Sequence, residues 1–574
     1  MVLRDTQPKK GAAGSNRLVV LVHGWLGKLP LFSLADVEAA VREAMPDADR
    51  LVPSYPSGVF ANTDLNEVCK QLADVIGLAV EARAQEGGSY DEIILIGFSL
   101  GSLVVRMTYL VGLGDMVVQL HGGFCKRYDW VEKVTRIILL AGNNRGWSID
   151  PMPRRFPWSF YLMLRVLGPF RVFGLGKLIF SYQRGQPFVE NLRIQWLRRD
   201  QEKRIPPTIQ LFGEEEDLVG REDMLDQDYC EKFILIDVPA TGHCNAGNFH
   251  EPGIGPWRRE RFLRALLAPV AVLEKQHSKF KPPPEERLGN EGQPVTDVVF
   301  VIHGIRDYGD WTREVRRRID KIAREHLVRV AAITPAYNRF SLLGFLLGHA
   351  RRRNVVWFVN EYTTALARHR EARFHFIGHS NGTYLLANAL ERYEMMRVNR
   401  VVFAGSVVRR SFPWDELVKQ GRVERVWNIR AVDDLVVTVF PGFFEQLRGI
   451  TGISLADLGG AGVFGFQDDG EWQYESLIRG GHSAAIVEAK NRDSLVRFVL
   501  GIDPEPRLDE SIPTTHTIPA RTRWFASFAW LVWLLLSLVP VLAALGLLHL
   551  LPGWPGVLAL LGVVAVIWLV LETL

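Results

Sequence analysis

Short apolar runs alternate with segments of helical period along the first half of the chain. Apolar runs of strand length end in polar or glycine-containing turns at 17–27, 93–98, 134–144 and 208–219. Residues 64–85 carry apolar side chains at helical spacing, which predicts a helix there. Strands that alternate with helices are typical of βαβ units. The pattern therefore predicts an α/β domain built on a parallel sheet.

The same pattern begins again in the second half of the chain. Residues 276–294 are polar and rich in Pro and Gly, which is typical of a linker between domains. After them, "TDVVFVIHGIRDYGDW" is similar to the first strand, "RLVVLVHGWLG", and "VNRVVFAGS" is similar to "VTRIILLAGN". Repetition on this scale indicates that a whole domain is duplicated.

The last fifty residues are almost entirely apolar. Two stretches, 524–550 and 556–571, flank the turn "LPGWPG", and each is close to the ~20 residues that a helix needs to cross a bilayer. A buried pair of core helices is the alternative, but such helices rarely extend so far without a charged face. The pattern favours a transmembrane hairpin. Arg521 and Arg523 precede it, and the positive-inside rule then places the globular domains in the cytoplasm.

These patterns predict six consecutive regions. They are a flexible N-terminal tail at 1–16, a first domain at 17–275 with an insertion at 151–195, a linker at 276–294, a second domain at 295–503, a juxtamembrane linker at 504–523 and the transmembrane hairpin at 524–574.

Charge and cysteine content narrow the possible functions. The 68 Lys and Arg nearly balance the 64 Asp and Glu, so net charge gives no reason to expect a nucleic-acid partner. The four cysteines have neither zinc-finger nor redox spacing, and the N-terminus lacks the apolar core of a secretory signal. We therefore expect reduced thiols in a cytosolic compartment and no metal site.

A Gly-x-Ser-x-Gly motif occurs once in each half, at residues 97–101 and 378–382. Each copy follows an apolar strand and precedes a helical pattern, the context in which this motif exposes a nucleophilic serine. A serine hydroxyl is a weak nucleophile that needs an adjacent base. Ser99 and Ser380 are therefore the candidate nucleophiles.

A carboxylate and a histidine follow each serine, in the chain order that this motif requires. In the first half they are Asp217, at the end of a predicted strand, and His243, in a glycine-containing loop. In the second half they are Asp434 and His482, with Asp433 as the close competitor for the acid. A lone histidine is more often structural, but the ordered occurrence in both halves favours catalysis.

Two backbone N–H groups are needed to bind the oxyanion that forms during acyl transfer. One should come from the residue after each serine and the other from the loop after each domain's first strand, where a His-Gly pair stands. The expected donors are Trp25 and Leu100 in the first half and Ile305 and Asn381 in the second. The His-Gly pair precedes the serine by 76 residues in the first half and by 77 in the second, which argues against chance.

With these His-Gly loops and serine turns, both halves resemble the α/β-hydrolase superfamily, and in particular its lipase and esterase members. The resemblance covers most of residues 17–270 and 296–500. It implies two tandem domains, each with an eight-stranded-type, mostly parallel sheet and helices on both faces. It also implies hydrolysis of an ester, thioester or amide through an acyl-enzyme, without a metal or an organic cofactor. Asn381 departs from the small or apolar residue that lipases often have at this position.

Two segments without acidic residues favour a lipid or acylated substrate. Residues 151–185 combine Arg and Lys with large apolar side chains, at a location that commonly holds a lid in this superfamily; an extra helical layer is the alternative. Residues 340–358 are again apolar and basic. Amphipathic segments of this kind suit an anionic lipid surface.

The resulting hypothesis is a membrane-anchored tandem serine hydrolase that cleaves lipid or acyl esters. One alternative is a single catalytic half with a binding or regulatory half, and another is a non-catalytic membrane scaffold. Because the hairpin follows its own linker, we expect a protein without residues 520–574 to retain hydrolysis of a small soluble ester.

Overall fold

Each half of the chain forms its own six-stranded parallel sheet in the computed structural model of the protein. The structure describes residues 2–11, 15–27, 33–114, 126–147, 176–213, 233–275, 294–305, 310–335, 349–451, 457–487, 489–510, 512–550, 553 and 555. The chain divides into two units, residues 1–286 with 366–370, and residues 287–365 with 371–574.

The first sheet has the strand order β2-β1-β3-β4-β5-β6, and all neighbouring strands are parallel. The strands are β1 (Arg17–Val22), β2 (Asp49–Leu51), β3 (Glu92–Phe98), β4 (Val134–Leu140), β5 (Thr208–Gly213) and β6 (Phe233–Val238). The helices are α1 (Ala35–Ala44), α2 (Leu65–Gln85), α3 (Leu100–Gly112), a 3₁₀ helix (Asp129–Lys133), α4 (Lys177–Ser181), α5 (Pro187–Gln201), α6 (Gly255–Leu267) and α7 (Val270–Glu274).

The second sheet repeats this topology, with the order β12-β11-β10-β9-β7-β8. Its strands are β7 (Asp297–Ile302), β8 (Val330–Ile333), β9 (Arg373–His379), β10 (Val398–Ala404), β11 (Val423–Ala431) and β12 (Gln473–Ile478). Its helices are α8 (Asp310–Glu325), α9 (His349–Arg368), α10 (Asn381–Arg392), α11 (Trp414–Lys419), α12 (Leu435–Val439), α13 (Pro441–Thr451), α14 (Ala461–Phe464), α15 (Ala484–Val487), α16 (Ala489–Val499) and α17 (Ala520–Leu550).

Both faces of the first sheet are covered by helices. Val19 and Leu21 of β1 belong to a core cluster that includes side chains of α1 and α6. Leu18 and Val20 point to the opposite face because successive strand residues alternate, and they are equally buried. Helices α2 and α3 pack together there. Burial on both faces explains why the strands are continuous apolar runs.

The strand order reverses direction between β1 and β3 in the first sheet and between β7 and β9 in the second. In the first unit, the chain leaves β1 towards β2 on one side and leaves β3 towards β4 on the other. In open α/β sheets, such a reversal leaves a crevice at the carboxyl ends of the strands, where ligands bind. The His-Gly loop after β1 and the serine turn after β3 meet at this crevice. In the second unit the corresponding loops follow β7 and β9.

The prediction of parallel α/β sheets with helices on both faces is confirmed in both halves. The resemblance implied eight-stranded-type sheets, whereas the described residues form six strands in each. Of the predicted insertion at 151–195, residues 151–175 lie outside the described part of the chain, and the remainder contributes α4 and the start of α5. Residues 340–348 of the second apolar and basic segment also lie outside it.

The predicted transmembrane hairpin is described only in its first half. Residues 520–550 form one helix, α17, and the second predicted helix at 556–571 lies outside the described residues. When only the described residues are counted, no helix is both long enough and apolar enough to cross a membrane.

Candidate active sites

Ser99 occupies a strained turn between β3 and α3. Its backbone has φ 51° and ψ −120°, a conformation that L-residues adopt at an energetic cost and mainly at functional sites. Gly97 and Gly101 make the turn possible. A Cβ at Gly97 would lie 2.5 Å from the Gly101 carbonyl oxygen, and a Cβ at Gly101 would collide with the carbonyl oxygen of Val22. The turn therefore requires glycine on both sides of the serine.

His243 provides a base for this serine. Its Nε2 lies 2.7 Å from Ser99 Oγ, although 144 residues separate the two. Both side chains are buried, so little water competes for the hydrogen bond. His243 lies in the loop that follows β6, at the same carboxyl edge of the sheet as Ser99. The structure thus brings together a serine and a histidine that can act as nucleophile and general base.

The predicted acid of the first half, Asp217, lies outside the described residues. Its neighbours at 214–216 lie outside them as well, so the assignment of Asp217 stays a prediction.

The second serine turn has the same geometry as the first. Ser380 has φ 52° and ψ −121° between β9 and α10. A Cβ at Gly378 would collide with the ring of Phe376, and a Cβ at Gly382 would lie 2.5 Å from the carbonyl oxygen of Ile302. Both halves therefore build the same strained turn around the serine, which indicates that the strain serves a purpose.

An acid–histidine pair is formed beside Ser380. The Nδ1 atom of His482 lies 2.7 Å from Asp434 Oδ2, and the Asp434 side chain is fully buried. The other oxygen, Oδ1, accepts the backbone N–H of Val437 at 2.9 Å and so caps α12. This second bond holds the carboxylate in place. Asp434 can therefore orient the imidazole and stabilise its protonated form.

The competing carboxylate, Asp433, has different partners. Its Oδ1 lies 2.6 Å from the guanidinium of Arg521, and its Oδ2 accepts the N–H of Gly480 at 3.4 Å. Between the two adjacent carboxylates that the sequence left open, the structure places Asp434 against the histidine.

Ser380 and His482 are not hydrogen bonded to each other in the described contacts, in contrast to Ser99 and His243. The imidazole of His482 lies over Gly405, where a Cβ would come within 3.0 Å of His482 Nδ1 and Cε1. Gly405 has φ 54°, and Ala141 occupies the corresponding position after β4 with φ 46°. Catalytic hydrogen bonds are often long before substrate binds, so this difference leaves Ser380 a candidate nucleophile.

The His-Gly loops lie directly against the two serines. A Cβ at Gly24 would lie 2.9 Å from Ser99 Cβ, and a Cβ at Gly304 would lie 2.8 Å from Ser380 Cβ. Each loop therefore lies against the serine at the glycine that precedes the predicted donor, Trp25 or Ile305. The other predicted donors, Leu100 and Asn381, are the first residues of α3 and α10. The first backbone N–H groups of a helix have no partner within the helix, and they stabilise a negative charge placed near them.

Tyr55 braces the first His-Gly loop and could not be recognised from the sequence. Its hydroxyl donates to the His23 carbonyl at 2.8 Å, and its ring stacks on the His23 ring at 4.3 Å. The backbone N–H of Tyr55 also donates to His23 Nε2 at 3.3 Å. His23 Nδ1 must then carry the proton and donate to the Gly24 carbonyl at 2.8 Å. Nothing in the local pattern around Tyr55 distinguishes it from a buried aromatic residue.

His379 is a second site residue that the sequence pattern does not reveal. It precedes Ser380 in the motif, and its Nε2 lies 3.2 Å from the backbone carbonyl of His482. Burial, with a smaller contribution from His482, lowers the pKa of His379 to about 3. It therefore stays neutral, and Nε2–H can donate to that carbonyl. Phe98 holds the equivalent position in the first half, with its ring centroid 6.1 Å from that of His243.

The chain is similar to several solved structures at low sequence identity. No protein-family model matches the sequence, and no curated protein matches it. Among solved structures, esterase B from Lactobacillus rhamnosis is 12% identical, with 48% of this chain and 86% of that chain covered and a TM-score of 0.31. A lipase-esterase related protein from Clostridium acetobutylicum is 14% identical, with 44% and 96% covered and a TM-score of 0.25.

An α/β serine hydrolase without lid from Xanthomonas campestris is 10% identical, with 49% of this chain and 89% of that chain covered and a TM-score of 0.24. Similarity this distant carries no information about activity. The inference of function therefore depends on the geometry of the two serine turns.

Proposed function

We propose that the protein is a serine hydrolase with two sites, each of which cleaves a carboxylic ester through an acyl-enzyme. The observation that carries the proposal is the 2.7 Å hydrogen bond between Ser99 Oγ and His243 Nε2 at a strained turn. A buried serine on a left-handed turn with a histidine in contact has no evident structural role. The repetition of the turn at Ser380, with an acid–histidine pair beside it, supports a second site.

The proposed reaction at the first site follows from these positions. Ser99 Oγ attacks the ester carbonyl carbon while its proton moves to His243 Nε2, and the N–H groups of Trp25 and Leu100 stabilise the resulting oxyanion. The tetrahedral intermediate expels the alcohol, which takes the proton from His243. A water molecule, deprotonated by the same histidine, then releases the acid and restores Ser99. Asp217 would orient the imidazole, as Asp434 orients His482 in the second half.

The alternative of one catalytic half and one regulatory half has a specific observation in its favour. Ser380 and His482 lack the direct hydrogen bond that Ser99 and His243 make. Ser380 could be deprotonated by His482 only once this contact has formed. The two candidate functions differ in whether Ser380 reacts with an active-site probe.

A fluorophosphonate probe distinguishes the two candidates, because it phosphonylates only a serine that has been activated. We expect both Ser99 and Ser380 to be labelled in the full chain, with Ser99 the faster. Ser99→Ala should abolish the first label and leave the second, and Ser380→Ala should do the reverse. The measurement is mass spectrometric mapping of the modified peptides. Labelling of Ser99 alone would support the regulatory alternative, and labelling of neither would leave the scaffold hypothesis.

We further propose that the substrate is a lipid or acylated molecule and that the C-terminal segment anchors the protein to a membrane, with the globular units in the cytoplasm. The support is the exposed apolar surface of α17, which contrasts with the small buried residues on its other face. The large exposed apolar side chains are Trp524, Phe525, Phe528, Trp530, Leu531, Leu534, Leu538, Leu542 and Leu550. The basic and apolar sequence at 151–185 is a second reason to expect a lipid surface.

Flotation with anionic phospholipid vesicles tests the anchor. We expect the full chain to float, and the double substitution Leu534→Asp and Leu538→Asp to reduce the floating fraction, because each carboxylate costs about 2.5–3.5 kcal/mol at the centre of a bilayer. The matched control is Leu327→Asp, at a side chain that is exposed in another part of the second unit. Equal flotation of all three proteins would exclude α17 as the anchor.

A further inference from the structure

The first turn of α17 is hydrogen bonded to the loop that carries Asp434. The guanidinium of Arg521 lies 2.6 Å from Asp433 Oδ1, and the hydroxyl of Thr522 donates to the Val432 carbonyl at 2.7 Å. Two consecutive residues of the helix thus bind the two residues that immediately precede Asp434. These contacts join positions 88 or more residues apart in the sequence.

One face of α17 continues this contact. Thr522, Ala526 and Ala529 are buried, and their spacing of four and three residues places them on the same side of the helix. Small side chains on this face allow close packing, and α17 contacts both α12 and α13. Asp434 is the residue that caps α12. The helix that begins at the acid therefore lies directly on α17.

The segment before α17 holds the histidine loop in the same way. The N–H of Arg479 donates to the Pro513 carbonyl at 2.8 Å, and the N–H of Thr515 donates to the Leu477 carbonyl at 3.0 Å. Ile512 is buried in the core of the second unit. Among the described strands β12 is the edge strand of its sheet, and residues 513–515 bind along it. Arg479, which makes one of these hydrogen bonds, is three residues before His482.

Asp433 connects the two loops. Its N–H donates to the Gly480 carbonyl at 3.1 Å, and its carboxylate accepts the Gly480 N–H while it binds Arg521. The Asp434–His482 hydrogen bond of 2.7 Å spans the same two loops. A change in the position of either loop would change this distance. We call residues 512–529 the C-terminal clasp.

We infer that the C-terminal clasp positions the acid and the histidine of the second site, so that the seating of α17 controls the reactivity of Ser380. The inference rests on the proposed hydrolase function of the second half. It assigns Arg521 and Thr522 as positioning residues, since neither touches the serine or the substrate position. If so, a protein without residues 520–574 should retain ester hydrolysis at the first site but lose reactivity at Ser380.

The physical character of the two contacts predicts different sensitivities. Thr522 is buried. Valine has nearly the same shape as threonine, so Thr522→Val removes only the hydroxyl and leaves the Val432 carbonyl without this donor. Arg521 is 68% exposed, and an exposed ion pair adds little to overall stability. Its loss should therefore act through the orientation of Asp433 rather than through unfolding. A displacement of about 1 Å in a catalytic group can reduce a rate by roughly a hundredfold.

The test measures the rate of fluorophosphonate labelling of Ser380 relative to Ser99 in the full chain, so that each protein carries its own control. We expect Thr522→Val and Arg521→Glu to slow the labelling of Ser380 by roughly ten- to a hundredfold and to leave that of Ser99 unchanged. Arg521→Lys, which keeps the positive charge, should retain most of the parent rate of Ser380 labelling. The exchanged pair Asp433→Arg with Arg521→Asp should recover part of what Arg521→Glu loses.

Two outcomes would overturn the inference while the proposed function stands. One is a Ser380 rate that is the same in all variants, and the other is an equal loss in Arg521→Lys and Arg521→Glu, which would mark the contact as packing. If Ser380 is not labelled in the parent chain while Ser99 is, the second half is not a hydrolase and the inference falls with that part of the proposal.

Discussion

His243→Ala should slow the phosphonylation of Ser99 by about 10²–10⁴-fold, because general-base catalysis contributes a factor of this size. The 2.7 Å contact with Ser99 Oγ identifies Nε2 as the atom that removes the proton. Without it, the buried hydroxyl has no described group that can take its proton when the bond to the probe forms. The measurement is the second-order rate constant for labelling of the Ser99 peptide, followed by mass spectrometry.

The second half of the same chain supplies the control for this experiment. His482→Ala should leave the Ser99 rate unchanged and slow only Ser380. Thermal unfolding of each variant would verify that the fold is intact. A Ser99 rate that survives the loss of His243 would mean that another group is the base, and the proposed mechanism of the first site would be wrong.

Gly24→Ala should reduce the reactivity of Ser99 by about 10²–10³-fold, the effect expected when an oxyanion donor is lost. The added Cβ would lie 2.9 Å from both Ser99 Cβ and the Phe98 carbonyl oxygen. These neighbours belong to the strained turn and cannot move without displacing the nucleophile. The loop would have to retreat instead, and the N–H of Trp25 would move away from the reacting carbonyl.

Matched glycine substitutions separate this local effect from a general loss of stability. Gly58→Ala should be silent, because a Cβ there meets nothing within 4 Å. Gly304→Ala, with its Cβ 2.8 Å from Ser380 Cβ, should reproduce the defect in the second half and spare Ser99. A normal Ser99 rate in Gly24→Ala would show that the His-Gly loop does not form the oxyanion site.

Local sequence patterns predicted the architecture well where strands and helices are regular. The helix expected at 64–85 is observed at Leu65–Gln85, and the run that contains Ser99 forms a strand, a turn and a helix as expected. Apolar periodicity reports burial directly, since it reflects which faces of an element are removed from water. The number of strands is harder to predict from such a pattern, and the six described strands of each sheet were not predicted.

The sequence by itself predicted the parallel α/β class of both halves and the two serine turns, and the structure has both. Glycine at 97, 101, 378 and 382 can be interpreted without a structure, because only glycine avoids a collision in that turn. The tertiary structure alone decided which side chains meet. It placed Asp434 rather than Asp433 against His482, brought His243 to Ser99, and seated α17 on the acid loop. Adjacent residues in a loop point in different directions, and a hydrogen bond depends on a few tenths of an ångström between groups that lie far apart in the chain. No pattern of apolar and polar positions encodes that distance.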